Sequence, residues 1–214
     1  MERIELKKVL PQVFNGKTNI QSDIWGQDVC FEKGTFYLVE ADSGTGKSSL
    51  CSYLYGYRND YEGTIQFDQT DIAHYPISQW VELRRRHIAL LWQELRLFPE
   101  LTAWENVQIK NQMTGFRTDL QIAQWFEQLG IGDKRNSLIG QMSYGQQQRV
   151  ALMRTLCQPA DFIFADEPIS HLDDQNSKQM AALLTQEAKR QGAAVITTSI
   201  GKRLELDYDT TYKL

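Results

Sequence analysis

Residues 41–48 of this 214-residue chain, Ala41-Asp42-Ser43-Gly44-Thr45-Gly46-Lys47-Ser48, have the types and spacing to hold a phosphate group. Gly44 and Gly46 let the backbone turn so that successive N–H groups face one anion. A helix opening at Lys47 would add the partial positive charge of its N-terminus. Lys47 brings a full charge to the β- and γ-phosphates. Ser48 offers a hydroxyl to Mg²⁺, and Ser49 follows it against the nucleotide. The strict phosphate-loop pattern is broken once, where Ala41 replaces its first glycine. If that position requires positive φ, alanine costs on the order of 1 kcal/mol there; if not, it costs little. The competing reading is a chance glycine-rich turn, and the Lys-Ser pair between an apolar run and a helix argues against it.

A second constellation lies downstream. Phe162-Ile163-Phe164-Ala165 reads as an apolar strand that delivers Asp166 and Glu167 at its carboxyl end, the edge at which open α/β sheets bind ligands. Asp166 is placed to hold Mg²⁺, directly or through water. Glu167 is placed to orient or deprotonate an attacking water. Alone, the pair is equally an acidic turn before Pro168; beside a phosphate loop it becomes chemistry.

The elements that must position these residues are legible as periodicities. Ile4–Val9, Asp28–Phe31, Thr35–Val39, His87–Trp92, Phe162–Ala165, Ala193–Thr197 and Asp207–Leu214 read as strands, and Gly63–Phe67 alternates like an edge strand. Helices are expected over Lys47–Tyr55, Ser78–Arg86, Gly145–Cys157 and Asn176–Arg190, the last ended by Gly192. Another opens at Thr118 with a capping box to Gln121, carries an apolar face of Leu120, Ile122, Ala123, Trp125, Phe126 and Leu129, and closes at Gly130. Apolar strands alternating with helices predict an α/β protein with a mostly parallel sheet covered on both faces. Residues from about 76 to 159 read as a helical subdomain inserted into a core of about 1–75 and 160–214, all one domain.

Composition narrows the function classes. Hydrophobic residues at 42% and charged residues at 23% exclude a disordered or low-complexity chain. A net charge of −4 argues against nucleic acid as the partner, and Arg84-Arg85-Arg86 reads as a solvated helix face. Cys30, Cys51 and Cys157 form neither a disulfide framework nor a zinc pattern and read as reduced thiols of a cytoplasmic protein. No apolar run is long enough to span a membrane, so a membrane role is expected to come through a partner.

Taken in order, these residues resemble the ATP-binding cassette (ABC) ATPases over nearly the whole chain. Met142-Ser143-Tyr144-Gly145-Gln146, followed by Gln147-Gln148-Arg149-Val150-Ala151, is similar to that family's signature, usually written LSGGQ, and is the most specific motif present. Gln93, before Leu97-Phe98-Pro99-Glu100-Leu101-Thr102, resembles the Q-loop, and Ser170-His171-Leu172-Asp173 the D-loop. The resemblance implies a P-loop NTPase fold with an antiparallel β part beside the parallel core, MgATP as ligand, and hydrolysis. It implies that Gln93 senses γ-phosphate through Mg²⁺ or the attacking water. Phe14 becomes the aromatic to stack on adenine, a role weighed equally against core packing. Ser143, Gly145 and Gln146 would open a helix whose hydroxyl and N–H groups point at the γ-phosphate of ATP held by a second cassette, in a head-to-tail homodimer or heterodimer. The implied partner is a transmembrane permease subunit that holds the cassette on the inner face of the cell membrane, with Leu97, Phe98, Leu101 and Trp104 near the surface as a docking patch; for Leu101, packing is the better reading. Compactness and the Gln146-Gln147-Gln148-Arg149 run look most like the short cassettes of lipoprotein-release, macrolide-export and cell-division systems.

Three departures carry consequences. Met142 for leucine conserves volume. Tyr144 replaces the first signature glycine and is tolerated if it points away from phosphate. In the switch segment the family usually carries Thr-His-Asp, and this chain reads Thr198-Ser199-Ile200. Ser199 makes a hydrogen bond but cannot carry imidazolium charge or shuttle a proton as histidine does. The expectation is intact ATP binding with slow or impaired hydrolysis, as either a transporter ATPase or a regulatory cassette. A DNA-maintenance ATPase of related head type is disfavoured, because there is no room for a coiled-coil insertion and the chain is acidic.

Overall fold

A computed structural model describes residues 1–16, 20–42, 44–169 and 173–214. Strands β1 (Arg3–Pro11), β2 (Asp28–Glu32), β4 (Tyr61–Phe67) and β5 (Thr70–Asp71) form an antiparallel sheet in the order β2-β1-β4-β5. Strands β3 (Phe36–Glu40), β6 (Ile88–Leu91), β7 (Phe162–Asp166), β8 (Ala194–Ser199) and β9 (Thr210–Lys213) form a parallel sheet in the order β6-β7-β8-β3-β9. The helices are α1 (Lys47–Leu54), α2 (Ile77–Arg86), α3 (Ala103–Thr114), α4 (Asp119–Gln128), α5 (Tyr144–Leu156) and α6 (Asp174–Gln191). The expected α/β architecture, with its antiparallel part, is the one found.

Strands β3, β6, β7 and β8 are buried along nearly their whole length because both of their faces are covered, whereas β9, at the sheet's border, is partly exposed. Alternate residues point to opposite sides. Ala89, Leu91, Ile163, Ala165 and Val195 join a core with α3, α4, α5 and α6. Ile88, Leu90, Phe162, Phe164 and Ile196 join the other core, with Ile4, Leu6 and Phe31 of the antiparallel sheet and Leu50 of α1. Strand β6 falls inside residues 76–159 and nevertheless pairs with β7, Leu91 against Ala165, so the parallel sheet reaches into that stretch.

Three local expectations are corrected. β4 is an edge only in part: β1 pairs along one side of it, and on the other the two-residue β5 covers only Gln66 and Phe67. Its alternation reflects one buried and one wet face rather than a free border. Within β4, Gly63 (φ +85°) lies so close to the carbonyls of Lys7 and Lys8, where β1 bulges, that no side chain fits. Leu120 is 70% exposed, while Ile122, Trp125, Phe126 and Leu129 are buried; α4 therefore presents a narrower face than its composition suggests. Finally, α3 occupies a stretch between Gln93 and Thr118 in which no helix is expected. Its inward residues, Ala103, Asn106, Val107 and Asn111, include two asparagines, which conceals the apolar period. Asn106 is fully buried and closes the loop before α3, its side chain accepting from Phe98 N at 2.8 Å and donating to the carbonyls of Phe98 and Thr102 at 3.0 Å each.

Candidate functional site

The phosphate loop leaves β3 and enters α1 through two left-handed glycines, Gly44 (φ +82°) and Gly46 (φ +99°). Gly46 is the N-cap of α1, and a Cβ on it would meet the Trp25 ring at 3.2 Å. Trp25, buried beneath the loop, donates its indole N–H to the Thr45 carbonyl at 2.9 Å. Thr45 Oγ1 in turn donates to the Asp42 carbonyl at 2.8 Å. Ala41 is not among the non-glycine residues of positive φ, so losing the first glycine carries no conformational penalty. Ser43 lies outside the described residues. Ser48 is exposed, and Ser49 Oγ accepts from Arg58 at 2.9 Å.

Lys47 is buried, and its ammonium donates to the Asp42 carbonyl at 2.8 Å. The same ammonium lies 3.7 Å from Glu167 Oε1. Glu167 follows β7 with φ +48°, a left-handed value that non-glycine residues adopt at a cost. Its conformation is pinned from the neighbouring strand. Asp166 pairs with Thr198 in register, Thr198 Oγ1 donates to Asp166 Oδ1 at 2.6 Å, and the same oxygen accepts from Glu167 N at 3.1 Å. One hydroxyl thus fixes both acids. Gln93, exposed just beyond β6, donates its side-chain amide to Glu167 Oε2 at 3.2 Å. The register of β6 on β7 brings Gln93, Asp166 and Glu167 to one sheet edge, and that of β8 on β3, with Glu40 opposite Ser199 and Ala41 N donating to the Ser199 carbonyl at 3.2 Å, brings the phosphate loop to the same edge.

This edge offers hard oxygen donors of the kind Mg²⁺ takes: the Ser48 hydroxyl, the buried Asp166 carboxylate and the Gln93 amide oxygen. The residues fit that ion, and opposite them stand a buried ammonium and a helix N-terminus for phosphate. Phe14 is buried, which suits core packing, and it also lines a cavity of about 230 Å³ with Trp25, Gly44 and Thr45 beside the phosphate loop.

Ser143, Gly145 and Gln146 stand at the start of α5. Ser143 is its N-cap: Oγ accepts from Gln146 N at 3.3 Å, and the Gln146 side chain accepts from Ser143 N at 2.9 Å. Among the described residues, no hydrogen bond or ion pair joins these three to the phosphate loop of the same chain. The Tyr144 hydroxyl donates to the Gln93 carbonyl at 2.8 Å. Burial, with Glu94 nearby, pushes that phenol up, so it remains a donor. Further along α5, Gln148 donates to the Pro168 carbonyl at 3.2 Å. Of the D-loop, Ser170, His171 and Leu172 lie outside the described residues, whereas Asp173 caps α6 by accepting from Asn176 N at 2.8 Å.

Ser199 ends β8, is 3% exposed, and donates its hydroxyl to the Lys202 carbonyl at 2.6 Å. That proton serves the turn after β8. Of the docking patch, Phe98 is half-exposed, while Leu97 and Trp104 pack partly against the core. Sequence reasoning missed Trp25, Thr198 and the contact made by Tyr144. Only Thr198 left a signal, being the residue directly before Ser199.

Comparison with known proteins identifies the family. A sequence profile of the ABC transporter family matches residues 26–170. The uncharacterised ABC transporter ATP-binding protein YbbA of Escherichia coli K12 is 28% identical over 214 residues, covering 99% of this chain and 93% of its own. The uncharacterised ABC transporter ATP-binding protein YclH of Bacillus subtilis is 28% identical over 191 residues, 87% and 83% of the two chains. Among solved structures, the bacterial ABC transporter cassette MJ0796, determined as a dimer, superposes with a TM-score of 0.76 at 25% identity over 91% of this chain and 87% of its own. MJ0796 has also been solved as a dimer in a post-hydrolysis state bound to ADP and Pi. With a family profile spanning well over half its length and a cassette fold to match, this chain belongs to the ABC transporter family as an ATP-binding cassette.

Proposed function

We propose that this chain is the nucleotide-binding subunit of a transporter, binding and hydrolysing MgATP between two head-to-tail cassettes to drive a separate membrane partner. The observation that carries this reading is the cluster of Lys47, Glu167 and Gln93 at one sheet edge, with Glu167 3.7 Å from the ammonium and 3.2 Å from the amide.

ATP would bind with its phosphates on Lys47 and the N–H groups of the loop before α1. Bound Mg²⁺ would supply charge neutralisation at the phosphates, held by Ser48, Asp166 and Gln93. Glu167 would accept a proton from the attacking water, with Gln93 orienting it. The α5 N-terminus, with Ser143, Gly145 and Gln146, would meet the nucleotide of the second cassette, so each site is completed in trans. No helix among the described residues is long and apolar enough to cross a membrane, so attachment to the inner face of the membrane would run through the permease. The half-exposed Phe98, in the segment before α3, would be part of the surface offered to it.

A second reading, a cassette that closes on ATP but hydrolyses slowly, is favoured by Ser199, whose hydroxyl is committed to Lys202. Steady-state turnover with Mg²⁺, measured beside ATP affinity and a Lys47→Ala control, tests both. Turnover near the common range of about 1–10³ s⁻¹ supports the first reading. Tight binding with far lower turnover supports the second, and no ATP binding sinks both.

A further inference from the structure

Helix α5 holds the loop after β6 from two places. At its start, the Tyr144 hydroxyl donates to the Gln93 carbonyl at 2.8 Å. Near its end, the Arg154 guanidinium donates to the Leu95 carbonyl at 2.5 Å and the Arg96 carbonyl at 2.6 Å. Leu95 (φ +59°) and Arg96 (φ +51°) are both left-handed, a conformation side chains rarely adopt, and it turns their carbonyls toward Arg154. The Arg96 guanidinium, 3.5 Å from the Trp92 ring centre, closes the other side of the loop. Gln93 is therefore tied by its backbone to α5 and by its side chain to Glu167, which in turn pairs with Lys47.

We infer that Tyr144 is a positioning residue that makes the signature helix and Gln93 move as one body, presetting the Gln93 amide against Glu167. The inference rests on the nucleotide-site reading above and deepens it. Where the resembled family carries glycine at this position there is no side chain to make the bond, so the link is a property of this chain. A displacement of α5, whose N-terminus is the part expected to meet a second cassette, would be passed directly to the Gln93 backbone through the Tyr144 hydrogen bond, in addition to the hold of Arg154 on Leu95 and Arg96 further along the loop. Tyr144 touches no reacting atom in this scheme; it acts through Gln93.

Two measurements test this. In nucleotide-free protein, hydrogen exchange of the peptide covering residues 92–97 should quicken several-fold in Tyr144→Phe, with β7 and α6 unchanged. Identical exchange would overturn the inference whether or not the chain binds ATP. In a double-mutant cycle, Tyr144→Phe should weaken Mg²⁺-dependent ATP affinity by about two- to tenfold, the range one lost hydrogen bond corresponds to, and should do nothing further in Gln93→Ala. Tyr144→Gly should behave like Tyr144→Phe. An equal loss in both backgrounds would make Tyr144 merely structural. Absence of ATP binding by the wild type would instead sink the nucleotide reading, leaving the exchange result to decide the link.

Discussion

The Glu167 carboxylate lies 3.7 Å from the Lys47 ammonium, with both side chains largely buried at the carboxyl edge of the parallel sheet. The candidate base and the candidate phosphate ligand thus form an ion pair with each other. Under the proposed function, phosphate arriving at Lys47 would compete with Glu167 for the same positive charge and would free the carboxylate for water.

Glu167→Gln should keep ATP binding and lower turnover by about 10²–10⁴-fold, the usual share of a general base. Because hydrolysis is what would reopen the dimer, this variant should also accumulate as a dimer with MgATP in size-exclusion chromatography. A monomer with undiminished turnover would remove Glu167 from the mechanism.

Ser199→His should raise turnover by about tenfold or more and introduce a pH dependence centred near the ordinary histidine value of about 6.5. The change breaks the bond to the Lys202 carbonyl, so the turn after β8 must open to admit the ring. Unchanged turnover would show that hydrolysis in this chain is not limited at that position.

Acid should destabilise the fold through Asp161, at the opposite edge of the sheet from the nucleotide site. Burial alone pushes its carboxyl up; hydrogen bonds from Lys33 at 2.6 Å, the Met1 amine at 2.9 Å and His87 at 2.6 Å outweigh that and hold it below the usual aspartate range. A carboxylate with a depressed folded pKa contributes stability that is present above its unfolded value of about 3.9 and is lost as pH falls through the folded one. Thermal melts should drop below about pH 4, and Asp161→Asn should flatten that part of the profile while lowering stability at neutral pH.

Arg117 and Glu187 form a buried ion pair at 2.6 Å, and Arg190 also reaches Glu187 at 3.3 Å from the surface. Glu187→Ala strands a buried guanidinium and should cost about 3–5 kcal/mol in urea unfolding. Arg117→Met should cost less, because Arg190 still faces the carboxylate. The double variant Arg117→Met/Glu187→Leu should recover much of the loss; if it is additive instead, the pair is not the source of the effect.

The site was legible where chemistry demands fixed residue types in one short stretch. A phosphate loop needs glycines beside Lys-Ser, an acidic strand end needs an apolar run before it, and Ser143 with Gln146 announces a capped helix. Elements whose buried face is polar were not legible. Helix α3 turns Asn106 and Asn111 inward, so its apolar period vanishes, although Thr102 and Glu105 form the same kind of capping box that located α4. Leu120 was misjudged for the converse reason: it belongs to the helix but falls outside the arc that touches the core.

The sequence by itself determined the glycine-Lys-Ser run before α1, the two acids at the end of β7, the Ser143–Gln146 cap of α5 and the serine at position 199, because each is set by neighbours in the chain. Tertiary structure alone decided that Thr198 pins Asp166 and Glu167, that Trp25 supports the phosphate loop, and that Tyr144 reaches Gln93. These contacts join residues 31, 20 and 51 positions apart. Their partners are backbone groups common to all residues but proline, apart from the Asp166 carboxylate that Thr198 also grips. Which backbone group a side chain meets is fixed by strand register and helix packing, and no residue type records it.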